Sequence, residues 1–146
     1  MKVLVPLDGS DMAEQALGAA DRFLRNEAGG TLILHRVLAS LSGKVMGASE
    51  TISQQSAELA MAESYLNGVR DKLVNKPYDI EVHCSNGPNV AEAIADMAEL
   101  RGIDVIMMRS HSKTGWRHFL LGSTTYELAR MSRVSVLIVK KPDDPR

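Results

Sequence analysis

The chain has 146 residues, 45% hydrophobic and 24% charged, which suits one globular domain with one core and leaves little room for a second. Lys and Arg total 17 against 18 for Asp and Glu, a net charge of -1, so no basic surplus calls for nucleic acid or an anionic membrane, and any anion site must be local. The single cysteine, Cys84, excludes an internal disulfide and a thiol pair for a metal, and no apolar run reaches the roughly 18 residues of a membrane span, so a soluble, cytoplasmic protein is expected.

Val3-Leu4-Val5, closed by Pro6, reads as a short buried strand, and Asp8-Gly9-Ser10-Asp11 supplies turn and cap residues for a helix over 11–25 that stops at Gly29-Gly30. Thr31 to Val37 is a second strand, and Leu38 to Ala48, with Ser40, Ser42, Gly43 and Gly47, reads as a flexible connection suited to a lid. Ile52, Leu59, Ala62, Leu66, Val69 and Leu73 repeat with helical spacing, which predicts a helix over 49–75 that ends before Pro77. Ile80 to Cys84 alternates as a third strand, and Asn86-Gly87-Pro88-Asn89 is a turn that starts a helix lasting until Gly102. Ile103 to Met108 is a fourth strand, a helix opens near Ser123 and runs to about Met131, and Val134 to Lys140 is a fifth strand. One domain over 1–141 and a polar tail over 142–146 account for the chain.

Short apolar strands alternating with helices predict a three-layer α/β fold, a doubly wound parallel sheet covered on both faces. Ligands of such sheets bind at the carboxyl ends of the strands near the switch point. Three segments should meet there: Pro6 to Ser10, His35-Arg36-Val37, and the loop RSHSKTGWRHFLLGST over 109–124. Gly122-Ser123-Thr124 is the best anion-binding element, because glycine lets backbone approach a ligand and a helix N-terminus presents free N–H groups and the positive end of its dipole; plain helix capping explains the same residues. Asp8 can bind a hydroxyl or a metal, or cap the following helix. His111 and Lys113 offer proton or charge donors, but no nucleophile is paired with a base, so no catalytic residue is assigned. The histidines lack zinc spacing, and six aromatic residues give little support for base stacking.

The segments KVLVPLDGSDMAEQAL, LILHRV, GPNVAEAIADMA, DVIMMRSHSKTG, LLGSTTYELAR and VSVLIV together resemble the universal stress protein family over almost the whole chain. The resemblance implies a five-stranded parallel sheet in the order 3-2-1-4-5, of the adenine nucleotide alpha hydrolase-like kind, and a homodimer. It also implies a nucleotide site at Pro6, Asp8, Arg36, Met108, Arg109, His111, Ser112, Gly122, Ser123 and Thr124. The family's ATP-binding members carry glycine, two residues, glycine, nine residues, then glycine and Ser or Thr. Here Gly122 and Ser123 are kept, but Arg109 and Ser112 replace the first two glycines, and Arg36 stands where an apolar residue packs on adenine.

The expectation is therefore a dimeric stress-response signalling or scaffold protein with a weakened or altered nucleotide site. The alternative is an ATP-binding switch with slow hydrolysis, using magnesium if ATP binds. ATP or AMP would bind weakly, and phosphate or sulfate could rest at Gly122 to Thr124. The fifth strand, apolar on both faces through Val134, Val136 and Ile138 on one and Leu137 and Val139 on the other, is expected to pair with its copy in a second chain; an unidentified protein partner fits the scaffold reading.

Overall fold

The apolar run near the N-terminus forms the middle of a sheet because Val3, Leu4 and Val5 are all fully buried, as a strand covered by helices on both faces requires. This strand, β1 (Lys2–Pro6), pairs in parallel with β2 (Thr31–Ala39) on one side and β4 (Val105–Arg109) on the other. Outside them lie β3 (Asp79–Gly87) and β5 (Ser135–Val139), also parallel, which gives the order β3-β2-β1-β4-β5. The computed structural model describes residues 1–39, 48–109 and 122–140. The expected order 3-2-1-4-5 is thus the observed one, with its switch point between β1 and β4.

Helices α1 (Asp11–Glu14), α2 (Ala16–Leu24) and α3 (Ala48–Lys72) cover one face, where Val3, Val5, Leu32 and Leu34 pack with Ala16, Leu24, Leu66 and Val69. Helices α4 (Val90–Leu100) and α5 (Ser123–Met131) cover the other, where Leu4, Ile33, Ile106 and Met108 pack with Ile94, Ala98 and Leu128. Alternate residues of each strand serve opposite faces, so the two clusters are the two sides of one sheet.

Several boundaries differ from the sequence reading. The first helix is divided at Gln15, whose N–H bonds to Met12 O at 3.2 Å, a tight i−3 turn that keeps helical dihedrals without continuing the i−4 ladder. β2 and β3 run nine residues each, through Leu38 and through Asn86-Gly87, because the two strands pair with each other along their whole length. In α3 the expected apolar stripe is only half used: Ala62, Leu66 and Val69 are buried, whereas Ile52 is 64% exposed. A 25-residue helix is about 37 Å long, longer than the sheet beneath it, so its N-terminal part lacks a sheet to cover. The proposed lid falls largely on 40–47, outside the described residues; Leu38 and Ala39 belong to β2 and Ala48 to α3.

Candidate functional site

At the carboxyl edge, β1 ends in Pro6 and the chain turns through Leu7-Asp8-Gly9-Ser10 into α1. Leu7 N–H bonds to His35 O at 2.8 Å, which extends the β1–β2 contact by one residue. Gly9 has φ +90, a conformation that a residue with a Cβ adopts only at a cost. Asp8 Oδ1 accepts from Ser10 N–H at 2.9 Å and from Ser10 Oγ at 2.6 Å, while Ser10 Oγ accepts from Ala13 N–H at 3.2 Å. The helix cap is therefore Ser10, and Asp8 orients the cap.

Across the switch point, α5 begins at Ser123 with Gly122 at its N-cap, a residue with no side chain of its own to cap the helix. Tyr126 N–H makes the first helical bond, to Gly122 O at 2.9 Å, which leaves the preceding amides outside the helical ladder. Asn89, the N-cap of α4, donates from Nδ2 to Glu127 Oε1 at 2.8 Å and ties the two helix starts together.

Between these elements lies a cavity of about 370 Å³ walled by Pro6, Leu7, Asp8, Ala13, His35, Val37, Val90, Ile94, Met108, Arg109 and Gly122 to Thr125. Such a volume is near the lower end of ordinary ligand pockets, roughly 300 to 1,000 Å³. The lining combines these apolar side chains with a helix N-terminus that carries three hydroxyls, Ser123, Thr124 and Thr125, and with Arg109. Two larger clefts are surface grooves away from the switch point, one of about 620 Å³ along the outer side of α3 and one of about 510 Å³ at the β3 edge. Neither includes a helix N-terminus.

Of the residues expected at the site, Pro6, Asp8, Met108, Arg109, Gly122, Ser123 and Thr124 surround this cavity. His111 and Ser112 lie outside the described residues. Arg109 forms part of the wall, and its Nη1 donates to Val139 O at 3.3 Å, so the guanidinium leans toward β5. Arg36 requires a correction. Its side chain is absent from the cavity wall and stands on the α3 face, with the guanidinium 5.3 Å from the centre of the Tyr65 ring. Because side chains alternate along a strand, His35 and Val37 take the cavity side and Arg36 the other.

The sequence places His35 at the carboxyl edge within His35-Arg36-Val37 and assigns it no role of its own. It is fully buried, its Nε2 lies 2.8 Å from Ser85 Oγ on β3, and its Nδ1 has no hydrogen-bond partner among the described residues. Burial, and then the nearby His83, lowers its pKa from the ordinary 6.5 to about 4, so the ring is neutral at neutral pH. Two-residue spacing from the core residue Ile33 was the signal that could have placed His35 and Val37 on the cavity side. Among the described residues no group of three or more His, Cys, Asp and Glu is arranged to hold a metal ion. No helix among them is long and apolar enough to cross a membrane.

The chain is similar to known proteins over nearly its whole length. It is 30% identical to universal stress protein MJ0577 of Methanocaldococcus jannaschii, covering 96% of this chain and 94% of that one, and the solved structure of MJ0577 superposes with a TM-score of 0.79 over 97% and 96% of the two chains. It is 29% identical to universal stress protein YxiE of Bacillus subtilis, covering 95% of this chain and 98% of the relative. A universal stress protein family protein of Arabidopsis thaliana, solved with AMP bound, shares the fold at 13% identity with a TM-score of 0.67 over 99% and 94% of the chains. The Universal stress protein family profile matches residues 1–140, and the chain belongs to that family.

Proposed function

We propose that this protein is a dimeric, cytoplasmic stress-response signalling protein whose nucleotide site is altered but not lost, a site for an adenosine monophosphate-sized ligand in preference to ATP. The observation that carries the reading is the cavity itself: Val37, Val90, Ile94 and Met108 line it together with the N-terminus of α5. An apolar slot suits a purine, and the backbone amides and hydroxyls of a helix N-terminus suit one phosphate. The fold neighbour with AMP bound supports this ligand class. Arg36 is no obstacle, because its side chain lies on the other face of the sheet. The alteration lies at Arg109, which stands at the first glycine of the ATP-binding pattern and brings a side chain to the wall where backbone alone would otherwise approach a polyphosphate.

The proposed role is binding and signalling, without turnover. The partner is a second copy of the chain, joined through β5. Calorimetric titration with AMP, and with ATP with and without magnesium, tests the ligand. AMP is expected to bind at least tenfold more tightly than ATP, a difference of about 1.4 kcal/mol, and Arg109→Gly is expected to close that gap. Micromolar ATP affinity with phosphate release would favour the ATP-switch reading, and no response to any nucleotide would remove the cavity from consideration as a nucleotide site.

A further inference from the structure

The loop that carries Asp8 into the cavity is held from behind. Arg36 projects from β2 to the α3 face, and a Cβ placed on Gly9 would lie 3.1 Å from Arg36 Nη1 and 3.7 Å from Cζ. The Gly9 turn therefore rests against the guanidinium itself. The same guanidinium lies over the Tyr65 ring of α3, 5.3 Å from its centre, within the range of a cation–π contact. Tyr65 in turn donates its hydroxyl to Glu14 Oε1 at 2.9 Å, and Glu14 closes α1, the short helix that follows the loop. Lys72 of α3 adds a weaker contact, with Nζ 3.8 Å from Glu14 Oε2. Gly9, Arg36, Tyr65 and Glu14 thus form a continuous chain of contacts that joins the Asp8 loop and the short helix after it to α3.

We propose that Arg36 is a positioning residue for the ligand cavity: in contact with both Tyr65 and the Gly9 turn, it fixes the loop that presents Asp8, and its removal loosens the ligand site without any direct contact with the ligand. The inference rests on the nucleotide reading above and refines it, because it reverses what the position of Arg36 in the sequence suggests. If the side chain filled the base-binding space, a smaller apolar residue would strengthen nucleotide binding. As a clamp on the opposite face, the same replacement weakens it. The electrostatic setting agrees, since Arg36 is the cation among the Asp8 and Glu14 carboxylates around Tyr65. Its loss would leave those two carboxylates and the ring less well held together. Guanidinium geometry suits the role, since its flat face can stack on an aromatic ring.

The test compares Arg36→Val, Arg36→Lys and Tyr65→Leu with the unmodified full chain. Amide exchange at Ser10, whose N–H is held by Asp8 Oδ1, is followed by NMR without ligand, and AMP affinity is measured by calorimetry. Arg36→Val and Tyr65→Leu are expected to speed Ser10 exchange at least tenfold and weaken AMP at least fivefold. Arg36→Lys, which keeps a cation over the ring, should recover most of both losses. Thermal unfolding identifies a variant that has lost its fold, in which case the lysine variant and the unmodified chain carry the comparison through a smaller exchange difference. Unchanged Ser10 exchange in Arg36→Val, or AMP binding that is unchanged or tighter in that variant, overturns the proposal. If the unmodified chain binds no AMP, the nucleotide reading fails by itself, and Ser10 exchange still decides whether the clamp exists.

Discussion

The two edges of the sheet are built from different chemistry. At the β3 edge, polar and titratable groups surround the strand: Arg101 Nη2 donates to Glu81 Oε2 at 2.5 Å and lies 2.8 Å from His83 Nε2, and Tyr78 just before the strand donates to Asp21 at 2.8 Å. Behind it, the buried His35 reaches Ser85. At the β5 edge the strand is aliphatic: Leu137 and Val139 pack against one core cluster and Val134 and Val136 against the other, and Ile138 is half-buried. Charges beside an edge strand discourage a second strand from docking, and an aliphatic edge invites one. The difference teaches that the β3 side should respond to pH and stay unpaired, while the β5 side should respond to protein concentration.

The largest expected effect concerns His35. Its folded pKa is about 4 against the ordinary 6.5, so the unfolded chain binds more protons between those values and stability falls as pH drops through that window. The group's contribution is fully present above pH ~6.5, and its loss below pH ~4 is on the order of 3 kcal/mol. Urea unfolding across this range should show the slope, exchange should rise first along β3, and His35→Gln should flatten the profile. Equal sensitivity of β5 to acid would erase the distinction between the edges.

Ile138→Lys addresses the other edge. It should weaken the proposed dimer at least 100-fold, about 2.8 kcal/mol, and thermal unfolding checks that the variant keeps its fold. Sedimentation reads the mass. An unmodified chain that sediments near the 15.9 kDa chain mass at micromolar concentration breaks the comparison outright.

Tyr78→Phe should cost about 1 kcal/mol, the usual worth of one hydrogen bond. Burial raises the Asp21 pKa, but hydrogen bonds from Tyr78, Lys76 and Arg25 outweigh it and leave the carboxyl at about 2. Without the Tyr78 hydroxyl that pKa should rise, visible in a carboxyl carbon titration, and the stability that Asp21 contributes above its unfolded pKa should then be lost at a higher pH on acidification. An unmoved titration would mean that Lys76 and Arg25 hold the carboxylate alone.

The smallest effect is expected for Arg101→Ala. The Arg101 and Glu81 side chains are 38% and 43% exposed, so solvent screens the pair and the change should stay within ~0.5 kcal/mol. The Glu81 carboxyl, held low by His83 and Arg101, should titrate higher, and the sedimenting mass should not change. A mass increase would show that this charge keeps the β3 edge closed to partners.

The strands, their alternation with helices and the choice of α/β class were legible in the sequence, because runs such as Val3 to Val5 and Val105 to Met108 carry enough apolar surface to require burial wherever they lie. Gly122, Ser123 and Thr124 were legible too, since a helix start is a local matter of caps and backbone freedom. Strand order came from family resemblance, not from any residue pattern, because parallel pairing depends on contacts distant in the chain. The lengths of β2 and β3 were set by their mutual ladder, which drew Asn86 and Gly87 into a strand despite their turn chemistry. The burial of α3 was set by how far the sheet extends beneath it, a quantity that helical period does not contain. Arg36 and His35 are adjacent in sequence and were read as one segment, yet the pleat sends one to clamp a loop against Tyr65 and the other into the cavity wall. Local chemistry fixed what each residue could do, and only the packing of sheet against helices decided which side of the sheet it would act on.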